Sequence, residues 1–130
     1  MQSVPVISII DDDESMREAI QNLIHALGFV AYTFTSAEAF LQSGHVSDTS
    51  CLITDVQMPG LSGSDLQKLL IAQGHRLPII FVTGFPDEEI REQVMRNGAI
   101  GFLSKPFDGE LLVKHIEAAL NRAAPSPPPT

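Results

Sequence analysis

Residues 6–27 read VISIIDDDESMREAIQNLIHAL, and this stretch contains one complete strand-to-helix unit. The run Val6–Ile10 is apolar, rich in β-branched residues, and stops abruptly at three aspartates. Behind the aspartates, apolar residues recur at helical spacing from Met16 to Leu27. Gly28 predicts the end of this helix, because glycine readily adopts the left-handed conformation that closes helices.

The same alternation recurs four more times along the chain. The further apolar runs are 30–35, Cys51–Thr54, 78–82 and 100–104, and a helical pattern follows each of them. Ser36, Ser62 and Asp108 are expected to cap three of these helices. Strands that alternate with helices predict right-handed βαβ units, and their continuously apolar character predicts a parallel sheet covered on both faces. The sequence therefore predicts an open α/β domain.

Composition restricts the class of protein. The chain has 130 residues, and sixteen acidic against eight basic residues leave a formal charge of −8. We expect no direct nucleic-acid binding by this chain, because its acidic surface would repel phosphates. One cysteine, Cys51, excludes an internal disulfide framework and is typical of a reducing compartment. No apolar run approaches the ~20 residues that cross a bilayer, so a cytoplasmic location without membrane association is expected.

Polar residues converge on one edge of the predicted sheet. In open α/β sheets, ligands bind beyond the carboxyl ends of the strands. Those ends carry, in chain order, Asp11, Asp12, Asp13, Asp55, Thr83 and Lys105. Clustered carboxylates favour Mg²⁺, which takes a few oxygen ligands and keeps several waters. A carboxylate beside Mg²⁺ can attack phosphorus, so the predicted chemistry is phosphoryl transfer.

Asp55 is the candidate nucleophile, because it stands alone at its strand end and a loop follows it. Thr83 would donate its hydroxyl to one phosphoryl oxygen, and Lys105 would pair with another, where charge must be offset during transfer. Alternatives remain for each of these residues. The acidic run 11–13 could simply be a solvated turn, with Asp13 as a helix N-terminal residue. Asp55 could be a turn residue. Thr83 could be an ordinary strand-end residue, and Lys105 an ordinary surface cation.

Four segments in order resemble the receiver domain of two-component response regulators. They are IIDDDESMR (9–17), LITDVQMPGLSG (52–63), FVTG (81–84) and GFLSKPF (101–107), and the likeness covers roughly residues 5–122. SAEAFL (36–41) adds a similarity to the nitrogen-fixation regulator (FixJ-like) branch, which joins a receiver to a helix-turn-helix output domain. The resemblance implies a flavodoxin-like (CheY-like), doubly wound (βα)5 fold with five parallel strands in the order 2-1-3-4-5.

The resemblance also implies roles at the acidic edge. Asp55 would be the phosphoacceptor, and Asp12 would contact Mg²⁺ directly. Asp11 would contact the metal mainly through water, and the backbone carbonyl of Gln57 would be a further ligand. The Lys105–Pro106 peptide bond would be cis.

Two aromatic residues take family roles by the same resemblance. Phe102 occupies the position of the switch aromatic, which turns inward when Thr83 moves toward the phosphate; a core aromatic is the alternative. Phe85 and Gln57 occupy the positions that tune dephosphorylation. A large Phe85 would hinder an attacking water or a small phosphodonor.

The leading hypothesis is a signalling switch and not an enzyme that turns over a separate substrate. A sensor histidine kinase would phosphorylate Asp55, and a homodimer would then form through helix 87–97, strand 100–104 and the final helix. Residues 1–122 would be the receiver. The proline-rich residues 123–130 are either a frayed end or, as we favour, the start of a linker to an absent output domain that binds DNA and regulates transcription.

Two other classes are weighed against the switch. A Mg²⁺-dependent phosphatase of the haloacid dehalogenase type would use Asp11 as nucleophile in Asp11-x-Asp13-x-Ser15, but the chain lacks a cap insertion and a later acidic pair. A flavodoxin-like mononucleotide binder would need a glycine- or hydroxyl-rich phosphate loop after the first strand. The acidic cluster stands there instead and would repel a ligand phosphate.

Overall fold

Five strands and five helices alternate along residues 4–123, the part of the chain that the computed structural model describes. The strands are β1 (Val6–Ile10), β2 (Val30–Phe34), β3 (Cys51–Thr54), β4 (Ile79–Thr83) and β5 (Gly101–Ser104). The helices are α1 (Glu14–Ala26), α2 (Ala37–Gln42), α3 (Gly63–Ala72), α4 (Glu88–Arg96) and α5 (Gly109–Ala123). The predicted alternation is confirmed; the bounds of β4 and α4 differ from the prediction by one residue at both ends, and those of β2 and β5 by one residue at one end. The expected linker lies outside the described residues, apart from Ala123 at the end of α5.

All neighbouring strands pair in parallel, in the order β2-β1-β3-β4-β5. This is the predicted order, and it places β1 and β3 side by side in the middle of the sheet. Their carboxyl ends are in register, since Ile10 pairs with Thr54. The residue after each strand, Asp11 or Asp55, therefore lies at the same edge.

Two apolar layers cover the sheet. The layer that includes α1 and α5 contains Ile20, Ile24, Leu112 and Ile116, all at most 1% exposed. The layer that includes α2, α3 and α4 contains Phe40, Leu66, Leu70 and Val94, also at most 1% exposed. β3 and β4 are buried along their whole length, as predicted.

β2 departs from the prediction that every strand is covered on both faces. Val30 and Thr33 are exposed, and the rest of β2 is only half-buried. The reason is its place in the sheet, because β2 is an edge strand paired only with β1 among the described residues. The pattern of polar and apolar residues in β2 did not show that it is an edge strand.

The predicted helix signals are present. Asp13 caps α1 by accepting hydrogen bonds from the amides of Ser15 (2.9 Å) and Met16 (3.4 Å). Ser36, Ser62 and Asp108 accept amide hydrogen bonds at the starts of α2, α3 and α5. Within residues 4–123 no helix combines the length and the apolar character needed to cross a bilayer.

Candidate functional site at the carboxyl edge of the sheet

Three aspartates gather at the ends of β1 and β3. Asp11 and Asp55 are 1% and 6% exposed, whereas Asp12 is exposed to solvent. One carboxylate oxygen from each of the three lies within 4.8 Å of the others. The backbone brings them together, since the Asp55 amide donates to the Ile10 carbonyl at 3.1 Å.

Lys105 joins the two buried carboxylates. Its Nζ lies 2.9 Å from Asp11 Oδ2 and 2.8 Å from Asp55 Oδ2. β5 delivers this lysine to the site, and its backbone amide donates to the carbonyl of Thr83 at the end of β4 (2.8 Å). The peptide bond between Lys105 and Pro106 is cis, as the resemblance implied.

Burial and ion pairing act in opposite directions on the pKa of each charged group, and the net result is a raised pKa for both Asp11 and Lys105. Burial raises the pKa of Asp11, and this outweighs the hydrogen bond from the Asp13 amide and the attraction of Lys105, which lower it. Burial lowers the pKa of Lys105, but its hydrogen bonds to Asp55 and Asp11 and their charges outweigh burial, so that its pKa is raised. The Lys105 ammonium is therefore held in its charged form. For the Asp11 carboxylate, the hydrogen bond and the attraction of Lys105 do not fully offset the loss of solvation on burial.

Backbone amides orient the remaining carboxylate oxygens. Asp11 Oδ1 accepts from the amide of Asp13 at 2.9 Å, and Asp55 Oδ1 accepts from the amide of Gln57 at 3.0 Å. Arg17 Nη1 donates to the backbone carbonyl of Asp11 at 2.7 Å. Sequence reasoning did not identify Arg17. The available signal was a cation one turn into the helix that follows the acidic run.

Thr83 and Phe85 border the cluster on the β4 side. Thr83 is 1% exposed, and its Oγ1 accepts from the Phe85 amide at 3.2 Å. The hydroxyl therefore keeps its own proton for donation. The side chain of Phe85 is 74% exposed. It lines an open cavity of about 350 Å³ together with Asp12, Asp13, Asp55, Gln57, Gly84 and Lys105.

Phe102 lies apart from the acidic cluster, in the apolar layer that includes α4. It is half-buried on β5, where its ring centroid lies 6.5 Å from that of Phe81 on the paired strand. This placement fits the core role that the sequence left open. It also leaves the ring next to the strand that ends in Thr83.

The donor set of the cluster fits a hard divalent cation. The grouped ligand atoms of Asp11, Asp12 and Asp55 are all carboxylate oxygens, and the exposed Asp12 keeps one side open to waters that Mg²⁺ retains. Asp13 uses its carboxylate as the cap of α1, as expected, and is not one of the grouped ligands. Gln57 is exposed and follows Asp55 by two residues, so its backbone carbonyl is close in the chain to the cluster.

Comparisons with known proteins agree on one family. The family model described as the response regulator receiver domain matches residues 7–117. Over 95% of its own length, the chain is 41% identical to the transcriptional regulatory protein FixJ of Azorhizobium caulinodans. Over 91% of its own length, it is 41% identical to the response regulator protein TodT of Pseudomonas putida. It spans 58% and 52% of those two relatives. The structure of the response regulator StyR is similar over 94% of this chain and 62% of that one, with a TM-score of 0.87 and 38% identity.

Proposed function

The chain belongs to the response regulator receiver domain family, whose members are signalling proteins and not enzymes of the usual kind, and from this we propose that it is a phosphorylation switch. Asp55 accepts a phosphoryl group from a sensor histidine kinase, and the modified state directs an output. One observation carries the proposal: a charged lysine bridges the buried carboxylates of Asp11 and Asp55, and Lys105 and Asp55 both line an open cavity. Such an arrangement suits the transfer and retention of a phosphoryl group.

Asp55 acts as the nucleophile in the transfer step. One of its carboxylate oxygens attacks phosphorus, a new O–P bond forms, and the N–P bond of the kinase's phosphohistidine breaks with its electron pair left on the imidazole nitrogen. The amide of Gln57 and the ammonium of Lys105 hold the two Asp55 oxygens in place, so little reorientation is required. Lys105 also supplies positive charge where the phosphoryl oxygens arrive.

Asp11, Asp12, Asp55 and the backbone carbonyl of Gln57 are the residues that would hold Mg²⁺. Receiver domains generally bind this ion at an acidic pocket, and the oxygen-only donor set fits it. When bound, the ion neutralises charge on the transferred phosphoryl group.

The phosphorylated state is read through Thr83. Phosphorylation replaces the single negative charge of the Asp55 carboxylate by the roughly two negative charges of an acyl phosphate, so about one negative charge is added. The Thr83 hydroxyl and the Lys105 ammonium make contacts with phosphoryl oxygens only in that state, so the state biases a conformational equilibrium. Because the Phe85 amide is bonded to Thr83, movement of Thr83 is passed to the β4–α4 loop, and Phe102 follows as the switch aromatic.

The response surface is formed by α4, β5 and α5. Met95 on α4 and Leu111 on α5 are 37% and 41% exposed. The same two helices carry the exposed charged residues Arg91, Glu92, Arg96, Lys114 and Glu117. This mixture of apolar and charged groups suits a homodimer favoured by phosphorylation. Sedimentation of both states checks the proposal, and a monomer in both would contradict it.

The wider context is inferred from the relatives. Residues 1–122 form the receiver, the proline-rich end leads into a linker, and an output domain in the whole protein binds DNA in the cytoplasm. The name of FixJ as a transcriptional regulatory protein and the partial coverage of FixJ and TodT support this. The charge of −8 disfavours direct DNA binding by this chain itself.

Intact-mass analysis with Mg²⁺ and acetyl phosphate tests the nucleophile. We expect one phosphoryl adduct on the wild type that is lost in Asp55→Asn and on removal of Mg²⁺. If small donors are hindered by Phe85, the adduct forms faster in Phe85→Ala. An adduct that persists in Asp55→Asn but disappears in Asp11→Asn would instead support the phosphatase with Asp11 as nucleophile.

A further inference from the structure

The loop between β3 and α3 contacts a side chain from a distant element. This loop, residues 55–62, begins at the phosphoacceptor and carries Gln57. Glu38, in the first turn of α2, accepts a hydrogen bond at Oε2 from the amide of Leu61 at 3.0 Å. A carboxylate 23 residues earlier in the chain therefore holds the far part of the loop.

Gly60 makes room for this carboxylate. A Cβ atom at residue 60 would lie 2.6 Å from Glu38 Oε2, which is too close for a stable contact. Gly60 also has φ +79°, a conformation that favours glycine. The sequence thus provides both the acceptor and the space that the acceptor needs.

A backbone hydrogen bond joins the two ends of the loop. The Gly63 amide donates to the Val56 carbonyl at 2.8 Å, and a Cβ atom at residue 63 would overlap the carbonyl oxygen of Asp55. Between the two attachments lies the segment that contains Gln57. Its conformation is therefore set at one end by Asp55 itself and at the other by Glu38.

We propose that Glu38 is a positioning residue for the phosphoacceptor site, because its carboxylate holds the β3–α3 loop in the conformation from which the Gln57 carbonyl serves Mg²⁺. This inference rests on the proposed function, since it assumes that the acidic edge binds the ion. Glu38 does not contact the metal; it acts through Leu61 and the loop. Loss of groups that orient metal ligands typically lowers metal affinity, by about tenfold at the lower end of the observed range.

The test combines two measurements on ¹⁵N-labelled chain. Hydrogen exchange of the Leu61 amide, measured without Mg²⁺, reports the contact itself, and a Mg²⁺ titration reports its consequence. In Glu38→Ala we expect Leu61 exchange to be about tenfold faster, because its acceptor is lost. We expect the Kd for Mg²⁺ to rise about tenfold, while the Gly63 amide keeps its protection.

Matched variants separate position from charge and from backbone strain. Glu38→Gln keeps an acceptor oxygen and should fall between wild type and Glu38→Ala. Asp65→Asn removes the same charge from an exposed side chain in the first turn of α3 and should change the Kd by less than about twofold. Gly60→Ala should displace Glu38 and weaken Mg²⁺ binding. Gly74→Ala is its control, since Gly74 has φ +84° with nothing within 4 Å of a new Cβ.

The outcomes distinguish this inference from the proposed function. A wild type that binds Mg²⁺ while Glu38→Ala binds it equally well refutes the positioning role and leaves the metal site intact. An equal loss of affinity in Asp65→Asn and Glu38→Ala also refutes it, because charge alone would then explain the effect. A wild type that binds no Mg²⁺ refutes the metal site and, with it, this inference, even where Leu61 exchange shows the contact.

Discussion

Replacing Lys105 by methionine tests how the site is held together without a metal. The ammonium lies 2.9 Å from Asp11 Oδ2 and 2.8 Å from Asp55 Oδ2, and the lysine side chain is 17% exposed. Each contact has a gross attraction of about 6 kcal/mol at an effective dielectric of 20, most of which is cancelled by desolvation. Removing one partner of a buried pair typically costs about 3–5 kcal/mol. We expect about 3 kcal/mol here, because Asp11 can take up a proton.

Thermal unfolding without Mg²⁺ measures this loss as a decrease in Tm of about 10 °C for a chain of this length. The direction in which the stabilisation by Lys105 changes with pH follows from the raised pKa of this residue. Its stabilisation is fully present below the pKa of an unfolded lysine, about 10.4, and disappears as pH rises through the folded value. The difference between wild type and Lys105→Met should therefore persist at pH 7–9 and diminish at higher pH.

Mg²⁺ should stabilise Lys105→Met more than it stabilises the wild type. Without the competing ammonium, the acidic cluster of Lys105→Met binds the cation more tightly. A Mg²⁺ concentration of 100 times the Kd raises the free energy of unfolding of the variant by about 2.7 kcal/mol. Phosphorylation by acetyl phosphate should still be slower than in the wild type. Lys68→Met, an exposed position on α3, is the control. Equal Mg²⁺-free stability of wild type and Lys105→Met, or a smaller Mg²⁺ response in the variant, would refute the reasoning.

Three further substitutions or reactions test other parts of the molecule. Burial raises the pKa of Asp11, so its ionisation opposes folding, and Asp11→Asn still leaves Lys105 paired with Asp55. The variant should therefore have a higher Mg²⁺-free Tm than the wild type at pH 7 and lose this gain near pH 3.8 and below, and a lower Tm at pH 7 would contradict the reasoning. Burial raises the pKa of Cys51 to about 12, so iodoacetamide at pH 8 should modify this thiol only in urea, as mass spectrometry would show. Gln67 Nε2 donates to the Val94 carbonyl at 2.9 Å while its buried Oε1 has no partner among the described residues, and the Ala99 amide also donates to that carbonyl. Gln67→Met should thus change the free energy of urea unfolding by about 1 kcal/mol or less, or increase it, and a loss above about 2 kcal/mol would contradict this.

The sequence predicted the elements and the site because both depend on local transitions. An apolar run that ends at Asp11 or Asp55 marks a strand end wherever the chain goes afterwards, and parallel pairing brings such ends to one edge. The contacts that organise the site are of another kind. Arg17 on the Asp11 carbonyl and Glu38 on the Leu61 amide depend on how a helix is oriented against a loop, which no periodicity encodes. The exposure of β2 depends on its place at the edge of the sheet, which the resemblance implied through the strand order but which the strand's own composition does not show.

The charge balance of the site gives a reason why the proposed switch would need a cation besides Lys105. Three carboxylates against one ammonium leave two negative charges, and phosphorylation adds about one more, because the acyl phosphate carries about two negative charges where the Asp55 carboxylate carried one. Lys105 cannot offset this alone, since it already serves Asp11 and Asp55 before any phosphoryl group arrives. A divalent ion held by Asp11, Asp12 and Asp55 would release the ammonium to meet a phosphoryl oxygen. Lys105 would then exchange a carboxylate partner for a phosphoryl one, and this exchange, together with the donation from Thr83, would distinguish the two states of the proposed switch.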